Sequence, residues 1–304
     1  MDLRFSRSLA VLLIAVLGVS GCSISRFAVN KLGDALAGGG STYATDDDPE
    51  LVGQALPFAL KTIESLLQSS PKHRGLLLAA ASGFTQYGYA YVQCEADYVE
   101  GADLARATEL RRRAVRLYRR ALAYGLRALE AEHPGFAAAL RRDAAAGAAM
   151  VDRDDAAIAY WTGLAWAAAA AVSKEGDLVA DLPLAEALMR RVLAVDEGLG
   201  GGAVHDFFIA FEGGRPASAG GSEERARRHL ERALELAHGE RVAPLVSFAE
   251  TVCVARQDRG EFSRLLALAL ALDADRFPRQ RLANLVAQRR ARWLLARADE
   301  LFVE

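Results

Sequence analysis

The sequence predicts an all-α protein built of helical hairpins, and three observations carry that reading. Alanine, leucine and arginine dominate a chain with few isoleucines, threonines or asparagines. Unbranched side chains of that kind lose little rotamer freedom in a helix. No segment sustains the apolar–polar alternation of a half-buried strand. The apolar positions recur instead at helical spacing, between short breaks rich in glycine and proline.

The first segment stands apart from the body. Arg4 and Arg7 give a positive start, Leu9 to Val19 is apolar apart from small residues, and Leu17-Gly18-Val19-Ser20-Gly21-Cys22 closes the run. This is the layout of a secretory signal peptide, and its ending resembles the bacterial lipobox. The resemblance implies that residues 1–21 are removed and that Cys22 carries covalent lipid, palmitate-type acyl chains included. The apolar run is roughly half the ~20 residues that a spanning helix needs. Several acyl chains on one cysteine anchor durably, since each buried methylene adds ~0.8 kcal/mol. Ser23 stands where an aspartate would favour retention at the inner membrane, and in a source with two membranes the resemblance to sorted lipoproteins implies the periplasmic face of the outer one. Residues 22–45 then form a lipidated tether, with a flexible break at Gly38-Gly39-Gly40-Ser41. Residues 46–304 form the helical-repeat domain.

The body begins at Asp46-Asp47-Asp48-Pro49-Glu50. Adjacent aspartates could suggest a cation, but Asp48 as cap, Pro49 in the first turn and Glu50 near the positive end form a helix start. Helices are expected over 49–68, 72–98, 103–131, 134–149, 153–173, 181–196, 222–238, 241–258, 260–272 and 278–302. Short joints make consecutive helices antiparallel neighbours. Ala114-x3-Tyr118-x2-Ala121 and Ala226-x3-Leu230-x2-Ala233 share one pattern, and Ala59-x3-Ile63-x2-Leu66 fits the same frame. Small residues where helices touch, with a large one between, suit a degenerate tetratricopeptide-like array of helical hairpins.

Charge and motifs exclude several classes of function. The formal net charge is −2, and removing Arg4, Arg7 and Asp2 leaves −3. Nucleic-acid binding requires a concentrated basic field instead. The arginine clusters alternate with apolar residues and read as solvated helix faces. There is no GxSxG, HExxH, phosphate-loop or dinucleotide motif, so no enzyme activity, cofactor or metal is expected. His73 and His133 flank prolines and read as surface residues, and His229 and His238 lie among charges on one amphipathic helix. Cys94 and Cys253 lack metal spacing and read as buried free thiols.

Two aromatic features remain. Phe84, Tyr87, Tyr91 and Tyr98 form a stripe at helical spacing, and Trp161 and Trp166 add rings on another helix. The connection from Gly198 to Gly221 holds His205, Phe207, Phe208 and Phe211 without periodicity. Its rings either dock beneath their own helices or line a pocket.

The order of short motifs resembles a known family. A lipobox is followed by Asp47-Asp48-Pro49-Glu50-Leu51-Val52, Ala55-Leu56-Pro57-Phe58 and Glu64-Ser65-Leu66-Leu67. Gly83-Phe84, Tyr89-Ala90-Tyr91-Val92, Glu95-Ala96-Asp97 and Leu117-Tyr118-Arg119-Arg120-Ala121 come next. Tyr160-Trp161, Gly220-Gly221 and Arg281-Leu282-Ala283-Asn284-Leu285 complete the series. The chain resembles the T component family (TatT-like lipoproteins) of tripartite ATP-independent periplasmic (TRAP) transporters. The resemblance implies cryptic tetratricopeptide-like hairpins forming a compact superhelical body around a largely apolar cleft or pore, assembly as a homotrimer and association with the TRAP solute-binding protein. It also implies that a small hydrophobic or amphipathic ligand is held or handed over. Carried onto this sequence, Phe84, Tyr87, Tyr91, Trp161 and Trp166 would line the cleft. His205 and Phe207 would sit at its edge, and Asn284 would be a polar contact. The alternative is a scaffold lipoprotein for outer-membrane barrel or secretin assembly.

Overall fold

The computed structural model describes residues 40–173 and 176–303. Cys22, the segment 1–21 and most of the expected tether lie outside the described residues. Among the described residues the only regular structure is helical. In chain order the helices are α1 (Gly40–Ala44), α2 (Pro49–Ser69), α3 (Arg74–Gly88), α4 (Cys94–Val99), α5 (Leu104–Glu132), α6 (Phe136–Arg142) and α7 (Ala144–Ala148). They continue as α8 (Ala156–Val172), α9 (Gly176–Ala180), α10 (Leu182–Val195), α11 (Ala203–Gly213), α12 (Glu223–Ala237) and α13 (Ala243–Phe248). The last four are α14 (Val254–Arg256), α15 (Arg259–Ala271), α16 (Arg281–Ala296) and α17 (Ala298–Leu301).

Local chemistry sets many of these boundaries. The Asp48 carboxylate accepts from the Glu50 and Leu51 amides at 3.0 Å, and Pro49 opens α2. Asp103, Ser222 and Asp258 cap α5, α12 and α15 in the same manner, satisfying amides that have no partner within the helix. Asp143 ends α6 and caps α7, so the single helix expected over 134–149 is broken in two. Two π-helical segments, Tyr89–Gln93 and Ala249–Cys253, join α3 to α4 and α13 to α14.

The expected connection from Gly198 to Gly221 contains a helix, α11, and this corrects the sequence reading. Val204, His205, Phe207, Phe208, Ile209, Phe211 and Glu212 are all buried along its eleven residues. A helix buried nearly all round shows no amphipathic period, which is why its sequence reads as a loop. The Phe207, Phe208 and Phe211 rings lie 5.0 to 6.3 Å from one another.

Helices stack largely in chain order. α3 packs on α2, α5 on α3, α8 on α5 and α10 on α8. Close approach of α8 to both neighbours depends on two glycines. A Cβ on Gly125 would collide with the Thr162 hydroxyl, and one on Gly163 would come within 2.8 Å of Met189 Sδ. The repeat-pattern residues Ala114, Tyr118, Ala121, Ala226, Leu230 and Ala233 are all buried. Two apolar cores result. The first runs from Leu60 to Phe211 and the second from Ile209 to Phe302, so they meet on α11.

The last long helix returns to the start of the body. α16 touches α1 and α2, and Arg281 donates to the Thr45 carbonyl at 3.0 Å. Arg289 lies 3.5 Å from Glu95, and Trp293 packs on Tyr98 with ring centroids 5.5 Å apart. Arg290 reaches Asp97 of α4 at 3.0 Å and also pairs with Glu250. Among the described residues, no helix is long and apolar enough to cross a membrane.

Candidate functional site

A cavity of about 280 Å³ opens where the two cores meet. Five segments build it. α8 supplies Tyr160 and Trp161, the glycine-rich turn supplies Leu199 and Gly200, and α11 begins with Ala203. Arg241 and Ala243 come from the joint between α12 and α13, and Gln280, Ala283 and Asn284 come from the start of α16 and the turn before it. The turn reaches this place because Gly200, Gly201 and Gly202 all have positive φ, a region open to glycine at little cost.

The polar groups at the wall differ in how far they are satisfied. Asn284 is 1% exposed. Its Oδ1 accepts from the Val242 amide at 3.1 Å, and its Nδ2 donates to the Glu240 carbonyl at 2.8 Å. Arg241 donates to the Gly201 carbonyl at 2.9 Å and to the Asp206 carboxylate. Burial pushes the Asp206 carboxyl up to about 6 despite Arg241, and its Oδ1 has no partner. The Tyr160 ring meets Trp161 edge-on, with centroids 5.1 Å apart. Burial raises the Tyr160 pKa above the ordinary tyrosine value, with Asp206 adding to the shift.

The aromatic and polar residues singled out from the sequence fall into separate groups. Trp161 and Asn284 are on the cavity wall. Phe84 is buried against Tyr124, with ring centroids 6.1 Å apart and Arg120 above the Phe84 ring. Tyr87 and Tyr91 stack at 5.6 Å, Arg113 donates to the Tyr87 hydroxyl, and the Tyr91 hydroxyl is buried without a partner. Burial pushes the Tyr91 phenol up to about 12. Trp166 lies in the first core with its Nε1 unpartnered, and Phe207 belongs to the phenylalanine cluster of α11.

His205 forms a second polar centre. Its Nδ1 lies 2.8 Å from His229 Nδ1, and its Nε2 lies 3.2 Å from Glu197, which Arg232 holds through two nitrogens. Burial and the neighbouring His205 push His229 down to about 4. His229 also stacks on Phe208 at 4.9 Å, so it is not simply a residue of a charged face. His133 likewise departs from the surface reading, since its Nε2 lies 2.6 Å from the buried Asp155 carboxylate. No group of three or more His, Cys, Asp or Glu residues suited to a metal occurs among the described residues.

A family model described as the TRAP transporter T-component matches residues 45–302. The chain belongs to the TRAP transporter T-component family. It is also similar to an uncharacterized protein of Treponema pallidum (strain Nichols), at 30% identity over 308 residues and 94% of each chain. T-components are accessory parts of a transport system and not an enzyme family. Membership makes the chain a TRAP transport accessory protein associated with the cell envelope.

In this T-component, Leu199 and Arg241 are wall residues that the sequence alone did not single out, and Tyr160 figured there only in the Tyr160-Trp161 motif and not as a lining residue. Tyr160 carried a signal, because it adjoins Trp161 in a helix that is apolar on every side. Arg241 carried little, since one arginine after Gly239-Glu240 at a helix joint resembles many solvated arginines.

Proposed function

We propose that the chain is a lipid-anchored periplasmic accessory protein that docks the solute-binding component of a TRAP system. It holds, or hands over, a small hydrophobic or amphipathic ligand. The cavity between the two cores carries this reading, because ligand sites favour such junctions and are mostly apolar with a few placed polar groups. Residues 1–21 act as the signal, lipid on Cys22 supplies the anchor, and the body works as a homotrimer of tetratricopeptide-like hairpins at the outer membrane. Burial of the recurrent Ala–large–Ala residues supports the hairpin frame.

The test is capture of envelope proteins by the tagged full chain, extracted in mild detergent from its own source and read by mass spectrometry. Enrichment of a TRAP solute-binding protein is the expected result. Enrichment of barrel-assembly or secretin components in its place, or of no envelope protein above background, would overturn the reading.

A further inference from the structure

We propose that the cavity between the two cores takes a small, uncharged aromatic molecule whose carbonyl oxygen is held by Tyr160 and Arg241. This rests on the reading that the protein carries a ligand, and adds the ligand's class and its place. The size argument comes first. About 280 Å³ lies at the lower edge of ligand pockets, enough for roughly ten to fifteen non-hydrogen atoms.

The walls select the body of that molecule. Trp161 offers a half-buried indole, while Ala203, Ala243 and Ala283 bring no side chain beyond Cβ. A planar ring can lie against the indole in such a space, gaining contact that flexible chains obtain only by losing rotamer freedom.

The polar groups select its head. Tyr160 is 8% exposed and borders the cavity, and its phenol carries an O–H donor. Arg241 commits one amino nitrogen to Gly201 and the other to Asp206, and a guanidinium has five N–H donors. Donors are therefore available for an acceptor on the ligand, and a carbonyl oxygen suits them. The Asn284 amide is already used by the backbone on both sides, so it adds no further demand.

Charge decides between an amide-like and a carboxylate head. Asp206, behind the wall, already pairs with Arg241, so the charge that Arg241 brings to the cavity is balanced. A carboxylate entering beside it would lose its hydration without an uncompensated positive partner, which is costly. A neutral carbonyl escapes that cost.

The experiment compares indole-3-acetamide with indole-3-acetate on the tagged full chain, using saturation-transfer NMR and calorimetric titration. The amide is expected to bind at least tenfold tighter than the carboxylate. Tyr160→Phe removes only the hydroxyl and should weaken the amide about three- to tenfold, the worth of one hydrogen bond. Ala283→Phe, at an exposed wall position, should block the amide while the thermal melt stays near that of the parent. Equal or tighter binding of the carboxylate overturns the uncharged class. Absence of amide binding, or amide binding that survives Ala283→Phe, overturns the site. Capture of the solute-binding protein by the same Ala283→Phe chain is read separately. If it persists after the ligand test has failed, the docking reading stands and this one falls.

Discussion

Replacing Asn284 tests whether the start of α16 is stapled to the joint between α12 and α13. In Asn284→Ala the Val242 amide loses its acceptor at 3.1 Å, and Val242 is only 1% exposed. A buried donor left unpaired costs about 1–3 kcal/mol. The Glu240 carbonyl loses the Nδ2 donor at 2.8 Å but is only partly buried. Water can replace that donor, so this loss is smaller, about 0.5–1 kcal/mol. The sum is about 1.5–4 kcal/mol, and a domain of this size loses about 2–4 °C in Tm for each kcal/mol. A fall of about 3–16 °C in the midpoint followed by far-ultraviolet circular dichroism is expected. Asn284→Asp keeps the acceptor for Val242 but sets an oxygen against the Glu240 carbonyl, so it should also melt below the parent. An Asn284→Ala chain melting within about 2 °C of the parent would refute the staple.

Three further outcomes follow from the packing and the titrating groups. Gly125→Ala brings a Cβ onto the Thr162 hydroxyl and should lower the urea midpoint by the equivalent of about 1–3 kcal/mol, whereas Gly101→Ala, which meets nothing, should not. Cys94 and Cys253 are buried free thiols pushed by burial up to about 11 and about 12, so both should resist a disulfide reagent such as DTNB until denaturant is added. His229, held down to about 4, stays neutral in the fold while the unfolded chain takes its proton near 6.5. Stability from this group is therefore full above about 6.5 and is lost as pH falls toward 4, by about 1–2 kcal/mol after allowing for partial exposure. Asp206, raised to about 6, acts with the opposite sign. The measurement is therefore the difference between the parent and His229→Phe, whose stability should fall less between pH 6.5 and 4.5.

Much of the fold was legible because its boundaries are local. Asp48-Pro49 declares a helix start through nearby amides, and the structure uses it in that way; Asp258, expected to end a helix over 241–258, instead caps α15. α11 was not legible, because burial on all sides removes the apolar–polar contrast from which a period is read. The cavity was legible only in part. Its wall joins residues 160 to 284 from five segments, a proximity made by the stacking of whole helices and not by any spacing along the chain. Trp161 and Asn284 were singled out for their residue type, a bulky ring and a lone amide within helices. Arg241 has no such local mark. The pairing of His205 with His229 was hidden for the same reason, since the partners sit on different helices.

The return of α16 to α1 has a mechanical consequence. A pull that enters the body through α1 meets both α16 and the Pro278–Gln280 turn, which α1 touches. Arg281 grips the Thr45 carbonyl at that point, while Gln280 beside it belongs to the cavity rim. The load path from α1 to the rim is therefore short. An upstream anchor would act as a lever on the mouth as well as a leash on the body, so tilting the body would tug directly on the helix that carries Ala283 and Asn284.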